Sequence, residues 1–139
     1  MNSENKGKNL DSAVISREAA RILIEKKGLN VRMFYLGEKS SVTDYYVNAT
    51  GRSSMQVSAL SDYVSEGIEE LGVSPLRVEG RSGNSWILVD YGDVIVNIFD
   101  RESRDFYSFD RHLPAESEID ISDIVSEVDK KYDLNNSEE

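Results

Sequence analysis

The segment WILVDYGDVIVNIF, residues 86–99, constrains the fold more than any other part of the chain. Two runs of strand-forming residues, Trp86–Asp90 and Val94–Phe99, are separated by the Tyr91-Gly92 pair. Both runs place apolar residues on both faces of an extended chain, which is typical of strands inside a sheet. Glycine permits the positive φ that a tight connection needs. The segment therefore predicts two neighbouring strands in the centre of a sheet.

The two acids that flank this connection, Asp90 and Asp93, have two interpretations. A carboxylate pair can carry out acid–base catalysis or bind a divalent cation. Acid–base use needs divergent pKa values, and magnesium usually needs a phosphate substrate or further oxygen ligands. Acidic residues beside a glycine are also ordinary turn chemistry. We favour the turn, because a bare D-x-x-D spacing is weak evidence for a site.

The rest of the chain alternates helical and extended patterns. Apolar residues at helical spacing predict a helix over residues 12–27, and NVRMFYL and VTDYYVNAT predict two strands. A second helix is indicated by a possible capping box, Ser53 with Gln56, and by the stripe Val57, Leu60, Val64, Ile68 and Leu71. PLRVEG predicts a short strand. Hairpins combined with a helical crossover predict the α/β class, a mixed β-sheet of about five strands with helices packed on it.

Charge divides the chain into three parts. Residues 1–11 are polar and are predicted to be a disordered lead, and residues 12–113 form one domain. Residues 114–139 form an acidic tail with nine acidic residues and two lysines. A weak apolar patch within the tail permits a helix that docks on the domain or on a partner. We favour a mostly disordered tail with transient helix.

Composition excludes several classes of site. The chain has no cysteine and a single histidine, His112, so cysteine nucleophiles, cysteine-ligated metals and multi-histidine sites are excluded. The net charge is −10 and no cluster of Lys and Arg is evident, which disfavours direct binding of a phosphate backbone and suits a basic protein partner. No apolar run is long enough to span a bilayer, and the N-terminus lacks the apolar core of a signal peptide. We expect a cytoplasmic protein without a membrane or sequence-specific nucleic-acid partner.

Five aromatic residues are candidates for an interaction surface: Trp86, Tyr91, Phe106, Tyr107 and Phe109. Trp and Tyr with a charged fringe are typical of interaction hot spots. The alternative is that the rings belong to the core, and for Trp86 and Tyr107 the sequence leaves both possibilities open. We expect Tyr91 to be exposed, because a turn position rarely buries a ring.

The collinear motifs SSVTDYYVNATGRSSMQVSAL, PLRVEG, WILVDYGDVIVNIF and RDFY resemble the ribosomal silencing factor family, also called the Iojap-related proteins. The resemblance covers about residues 12–113. It implies a nucleotidyltransferase-like fold and a protein that is not an enzyme. Such a protein binds the large ribosomal subunit through ribosomal protein fourteen and sterically blocks association with the small subunit, which represses translation. Organellar relatives act on ribosome assembly, so a large-subunit assembly factor is the alternative.

The resemblance also implies a set of partner-binding residues. The partner-facing positions of the family match Trp86, Tyr91 and Tyr107, and Asp90, Gly92 and Asp93 shape the same surface. The family usually has histidine where this chain has Asn97, which retains the capacity to hydrogen-bond and completes the set. No catalytic, metal-binding or cofactor-binding residue is implied. Both a monomer and a homodimer are compatible with the sequence.

A nucleotidyltransferase is the enzymatic rival, because the fold implied by the resemblance hosts that chemistry. Such enzymes need a Gly-Ser turn and acidic residues paired on a neighbouring strand to hold metal ions. Here Arg52 separates Gly51 from Ser53, and no D-x-D lies on the following strand. Ser53 is better interpreted as a helix N-cap. Fold alone does not carry function, so catalysis is not expected.

Overall fold

The computed structural model describes residues 11–137. In chain order the helices and strands are α1 Ser12–Glu25, β1 Leu29–Tyr35, β2 Tyr45–Gly51, α2 Ser54–Glu69, β3 Arg77–Glu79, β4 Trp86–Asp90, β5 Val94–Asp100, α3 Arg101–Tyr107, β6 Glu118–Ile119 and α4 Ser122–Ser137. The predicted disordered lead lies outside the described residues except for Asp11, whose side chain accepts the N–H of Ala13 at 3.3 Å and caps α1. None of the described helices combines the length and apolar character needed to cross a membrane.

The strands form one six-stranded mixed sheet in the order β3-β4-β5-β2-β1-β6. β2 and β5 are parallel at its centre, and every other neighbouring pair is antiparallel. The parallel pair requires a long crossover, and α2 lies within it. This confirms the predicted mixed α/β fold. The sheet has one strand more than the expected five or so, because the tail contributes β6.

The sheet has two different faces, which strand β5 displays in alternation. Val94, Val96 and Ile98 belong to the main hydrophobic core beneath α1 and α2, on what we call the helix face. The alternate residues of the strand, Ile95, Asn97 and Phe99, point to the opposite side, which we call the distal face. All are buried, so β5 is covered on both sides, as its continuous apolar pattern predicted.

Helix α2 supplies much of the core through the predicted stripe. Val57, Leu60, Val64 and Ile68 are buried, and the Ser53 hydroxyl accepts the N–H of Gln56 at 3.2 Å as the predicted N-cap. Leu71 is the exception, since the helix ends at Glu69 and Leu71 is exposed in the following turn. The stripe therefore predicted the buried face of this helix but extended it past the end of the helix, to Leu71.

The acidic tail is part of the folded sheet and helix layers, so the favoured prediction of a mostly disordered tail is wrong. β6 pairs antiparallel with β1, and the Glu118 carboxylate accepts two hydrogen bonds from the Arg32 guanidinium, at 2.7 and 2.9 Å. Arg32 holds the pKa of Glu118 below its ordinary value. Helix α4 packs on α1 through Ile124, which joins the main core. The tail covers the edge of β1, which would otherwise be exposed. This contact stabilises the folded tail, and the composition of the tail did not reveal it.

Replacing Ile124 by alanine is expected to lower the free energy of unfolding by about 2–3 kcal/mol, because it removes buried methyl and methylene groups from the contact between α4 and the core. Chemical denaturation followed by circular dichroism measures the change. The matched control is Val125→Ala on the exposed side of the same helix, which should change stability by no more than about 0.5 kcal/mol. Equal stability of both variants would show that α4 does not dock.

Candidate interaction surface

The connection between β4 and β5 is a turn held by the acids that the sequence singled out. Asp90 Oδ1 accepts the backbone N–H of Gly92 at 2.8 Å, and Asp90 Oδ2 accepts Arg77 Nε at 3.0 Å. Gly92 has a φ of +91° and Asp93 is exposed. These contacts confirm the turn interpretation of the Asp-Tyr-Gly-Asp sequence. Across residues 11–137, no three His, Cys, Asp or Glu side chains lie together in a way that could hold a metal ion.

Tyr91 is not exposed as expected. Its backbone N–H donates to the Val94 carbonyl at 2.8 Å, so the antiparallel ladder continues one residue beyond β4. The side chain consequently follows the strand alternation onto the same face as Ile87 and Val89, and packs against the main core. The expectation was wrong because the turn begins after Tyr91, one residue later than the Tyr-Gly pair suggested. Tyr91 is half-buried on the helix face.

Burial of this ring has an electrostatic consequence. Burial raises the pKa of Tyr91 to about 12, a shift that the neighbouring Ser65 hydroxyl opposes and the Glu69 carboxylate supports. Among the described residues, neither the Tyr91 hydroxyl nor the Ser65 hydroxyl has a hydrogen-bond partner of standard geometry. The folded state therefore favours the neutral phenol.

We expect unfolding stability to fall as the pH rises from about 10 to about 12, since the unfolded chain releases the Tyr91 proton at lower pH than the folded chain does. The contribution is intact below pH 10 and is lost as the pH rises through the folded pKa. Tyr91→Phe should show a shallower decline, and near neutral pH it should be as stable as the parent, because the lost hydroxyl has no partner. Denaturant midpoints measured across this pH range for both proteins test the prediction. Identical pH profiles would contradict it.

Four aromatic rings form a continuous row on the distal face, which we call the aromatic ladder: Phe99, Trp86, Tyr107 and Phe106. Ring centroids are 4.8 Å apart for Phe99 and Trp86, 4.9 Å for Trp86 and Tyr107, and 5.1 Å for Tyr107 and Phe106. Exposure rises along the row, from 0% at Phe99 through a half-buried Trp86 to 47% at Tyr107 and 78% at Phe106. The row begins in the core and ends in solvent.

The outer half of the ladder is positioned by the short helix α3. The Asp100 side chain accepts the N–H of Ser103 at 2.8 Å and starts the helix directly after β5. Ser108, in the left-handed conformation at φ +50°, ends it. This stop leaves Phe106 and Tyr107 together at the C-terminal end of α3, beside the start of β4. The sequence placed Phe106 among the candidate aromatics, but the partner-binding set implied by the resemblance did not include it, although two adjacent rings on a short exposed helix cannot both be buried.

A chain of buried side chains underlies the ladder. Trp86 Nε1 donates to Asn97 Oδ1 at 3.0 Å, and Asn97 Nδ2 donates to Asn48 Oδ1 at 3.1 Å. Asn48 Nδ2 in turn donates to Asp110 Oδ1 at 2.7 Å. Asn97 has no exposed surface, so the contact with a partner that its place in the predicted set implied is not direct in this structure. It reaches the surface only through Trp86.

The chain of hydrogen bonds that runs from Trp86 to Asp110 ends on a buried ion pair. Arg104 Nε donates to Asp110 Oδ2 at 2.8 Å, and an Arg104 Nη donates to the Thr50 hydroxyl at 2.9 Å. Arg104 is only 7% exposed and lies 5.8 Å from the centroid of the Phe99 ring. A buried guanidinium with a carboxylate partner fixes the segment after α3 against the distal face.

The predicted partner-binding residues therefore separate into groups. Trp86 and Tyr107 are in contact at one end of β4, with Asn97 beneath them. Asp90 ends β4, about 13 Å along the strand from Trp86, and Gly92 and Asp93 lie in the turn that follows. Tyr91 occupies the opposite face of the sheet. The structure brings together the rings at the start of β4 and does not join Tyr91 to them.

Comparison with known proteins gives close relatives by sequence. A relative from Zymomonas mobilis named ribosomal silencing factor RsfS is 32% identical over 103 residues, covering 74% of this chain and 77% of that protein. The protein of the same name from Haemophilus influenzae is 36% identical over 85 residues, covering 61% of this chain and 83% of that protein.

A solved structure agrees with these matches. The crystal structure of a Chromobacterium violaceum protein is similar with a TM-score of 0.69 and 32% identity, covering 72% of this chain and 83% of that one. A protein-family model described as ribosomal silencing factor during starvation matches residues 9–139. Because this model spans nearly the whole chain and the relatives are matched over most of their own length, the chain belongs to the ribosomal silencing factor family.

Proposed function

We propose that this chain binds the large ribosomal subunit and represses translation by physically preventing association with the small subunit. Its direct partner in this proposal is ribosomal protein fourteen of the large subunit, and it acts in the cytoplasm. Membership of the ribosomal silencing factor family and the names of the relatives support the proposal. The mechanism is steric exclusion by a folded domain, which requires a firm docking surface and no bond chemistry.

The observation that carries the proposal is the exposed end of the aromatic ladder. Phe106 and Tyr107 present ring surface to solvent, and Trp86 supports them from beneath. Aromatic side chains bury large areas at low entropic cost and dominate binding energy at protein interfaces. Because the inner rings pack on the sheet, this surface is rigid before binding, and little ordering cost is added on association.

Charge favours a basic protein partner. The chain carries a net charge of −10, of which residues 114–139 contribute −7, and exposed Asp93, Glu102 and Asp105 lie near the ladder and the turn together with Arg101. Complementary charge raises association rates and suppresses wrong partners. A chain of this net charge is a poor match for the phosphate backbone of ribosomal RNA, so docking on a basic ribosomal protein is the better match.

The contacts of the acidic and serine residues considered for catalysis are consistent with a non-enzymatic role. Both carboxylate oxygens of Asp90 accept hydrogen bonds from the protein itself, one from Gly92 and one from Arg77. Ser53 is engaged as the N-cap of α2. Each residue has a structural task that explains its presence, and a steric mechanism asks nothing more of them.

Sedimentation with isolated ribosomal subunits tests the proposal. We expect the purified protein to sediment with large subunits and not with small ones, and to reduce the light-scattering signal of subunit joining when it is added first. Failure to sediment with large subunits would refute the proposal. Binding without any effect on joining would favour the assembly alternative, for which deletion of the gene should cause large-subunit precursors to accumulate in ribosome profiles.

A further inference from the structure

We infer that Asn48, Asn97 and Asp110 are positioning residues for docking, because their hydrogen bonds fix the ring of Trp86 beneath the exposed end of the aromatic ladder. The inference rests on the proposed function, since it assigns to buried residues a part in the same surface. Asn48 and Asp110 lie outside the predicted set. They come from β2 and from the 3-10 turn Phe109–His112, so the chain connects elements that are distant in sequence.

The chemistry of its two ends gives the chain a single direction. The indole of Trp86 can only donate, and an ionised carboxylate such as that of Asp110 can only accept. The two amides between them are therefore both oriented with the oxygen toward Trp86 and the nitrogen toward Asp110. No other orientation of the two amides satisfies all three hydrogen bonds, so the indole N–H has only one position in which it is hydrogen-bonded.

Breaking a hydrogen bond of this chain is energetically costly, because the side chains that form it are buried. Asn48 and Asn97 have no exposed surface, so an amide that loses its partner in the chain has no access to bulk water. Arg104 holds the Asp110 carboxylate in place from the far side at 2.8 Å. Phe109, with its centroid 6.0 Å from that of Trp86, closes another side of the indole. Trp86 is thus held by packing and by one directed bond, which preorganises the rings that rest on it.

The first test replaces Asn48 by leucine, which has a similar shape and removes both links that Asn48 makes. We expect affinity for isolated large subunits to fall about tenfold, the factor that corresponds to one net hydrogen bond. Trp86 is the only tryptophan, so its fluorescence reports on this site alone. Emission and acrylamide quenching should both change in the variant, because the indole gains freedom.

The matched control is Thr50→Val on the same face of β2. Thr50 is buried and accepts a hydrogen bond from Arg104, but it makes no link in the chain to Trp86. This variant should lose stability comparably to Asn48→Leu while leaving Trp86 fluorescence and subunit affinity unchanged. The pair therefore separates a positioning effect from a general loss of packing.

The second test uses Asn97. Asn97→Leu leaves the Trp86 N–H without its acceptor and should also weaken binding about tenfold. Asn97→His should preserve binding and fluorescence, because a neutral imidazole offers one acceptor nitrogen toward Trp86 and one N–H toward Asn48. If wild-type protein binds large subunits and Asn48→Leu and Asn97→Leu bind equally well with unaltered fluorescence, the inference is wrong and the proposed function stands. If wild-type protein does not bind, the proposed function fails and this inference fails with it.

Discussion

Replacing Asp110 by alanine is expected to lower the free energy of unfolding by roughly 3–5 kcal/mol, which is the usual cost of removing one partner of a buried ion pair. The Arg104 guanidinium would be left buried at 7% exposure without its carboxylate. The Asn48 amide would lose its acceptor at the same time. Urea denaturation measures the loss, and Trp86 fluorescence reports the unfolding of this face directly.

The double variant Asp110→Ala with Arg104→Met isolates the ion pair. Removing both charges leaves no buried guanidinium without a partner. The double variant should therefore be more stable, by about 1–3 kcal/mol, than the sum of the two single-variant losses implies. Asp93→Ala is the control at an exposed acid, and it should change stability by no more than about 0.5 kcal/mol. Strict additivity of the two single changes would show that the pair is not coupled.

The central hairpin was predictable because its signals are local. Two apolar runs around a glycine set the strands, and period-two alternation set which residues share a face. The stripe and cap of α2 were predictable for the same reason, since a helix and its start signals occupy consecutive residues. These elements contain the start of β4, where Trp86 lies, and for that reason the sequence indicated approximately where the aromatic ladder would be.

A difference of one residue in the length of the turn decides on which face of the sheet Tyr91 lies. A connection that begins after Tyr91 places the ring on the strand, and a connection that includes it frees the ring to point outward. Glycine at position 92 permits both, so the pattern could not decide between them. The backbone bond between Tyr91 and Val94 decides it in the structure and separates Tyr91 from Trp86.

The tail and the buried chain beneath Trp86 were beyond sequence reasoning because they depend on non-local partners. β6 forms next to β1 from more than eighty residues along the chain, and its composition by itself is that of a disordered segment. Arg32 and Ile124 supply the stabilising contacts. Asn48 and Asn97 lie far apart in the sequence, and only the register shows that they are side by side in β2 and β5. Polar residues inside a predicted central strand are the one signal that could have indicated a buried network.

The fold and the docking surface are linked through the distal face. The same burial that hides Asn97 from a partner allows it to fix Trp86, and the same ion pair that stabilises the segment after α3 holds the far end of that chain. In the proposed docking, the rings at the surface take their geometry from Asn97 and Asn48, which have no exposed surface. A mutation in the hydrogen bonds that connect Trp86 to Asp110 should alter binding and stability together, whereas a mutation at Phe106, the most exposed ring of the ladder, should alter binding alone.

The double variant Phe106→Ala with Tyr107→Ala is expected to weaken binding to isolated large subunits by about 2–4 kcal/mol, which corresponds to roughly 30- to 1000-fold. Both rings are substantially exposed, so the variant should retain the stability of the parent within about 1 kcal/mol. The matched control is Tyr132→Ala, which removes a ring of 55% exposure from α4 and should bind as the parent does. Quantitative sedimentation over a range of subunit concentrations measures all three proteins. If the double variant binds as tightly as Tyr132→Ala, the exposed rings do not contribute to binding of the large subunit, and the aromatic ladder is not the docking surface.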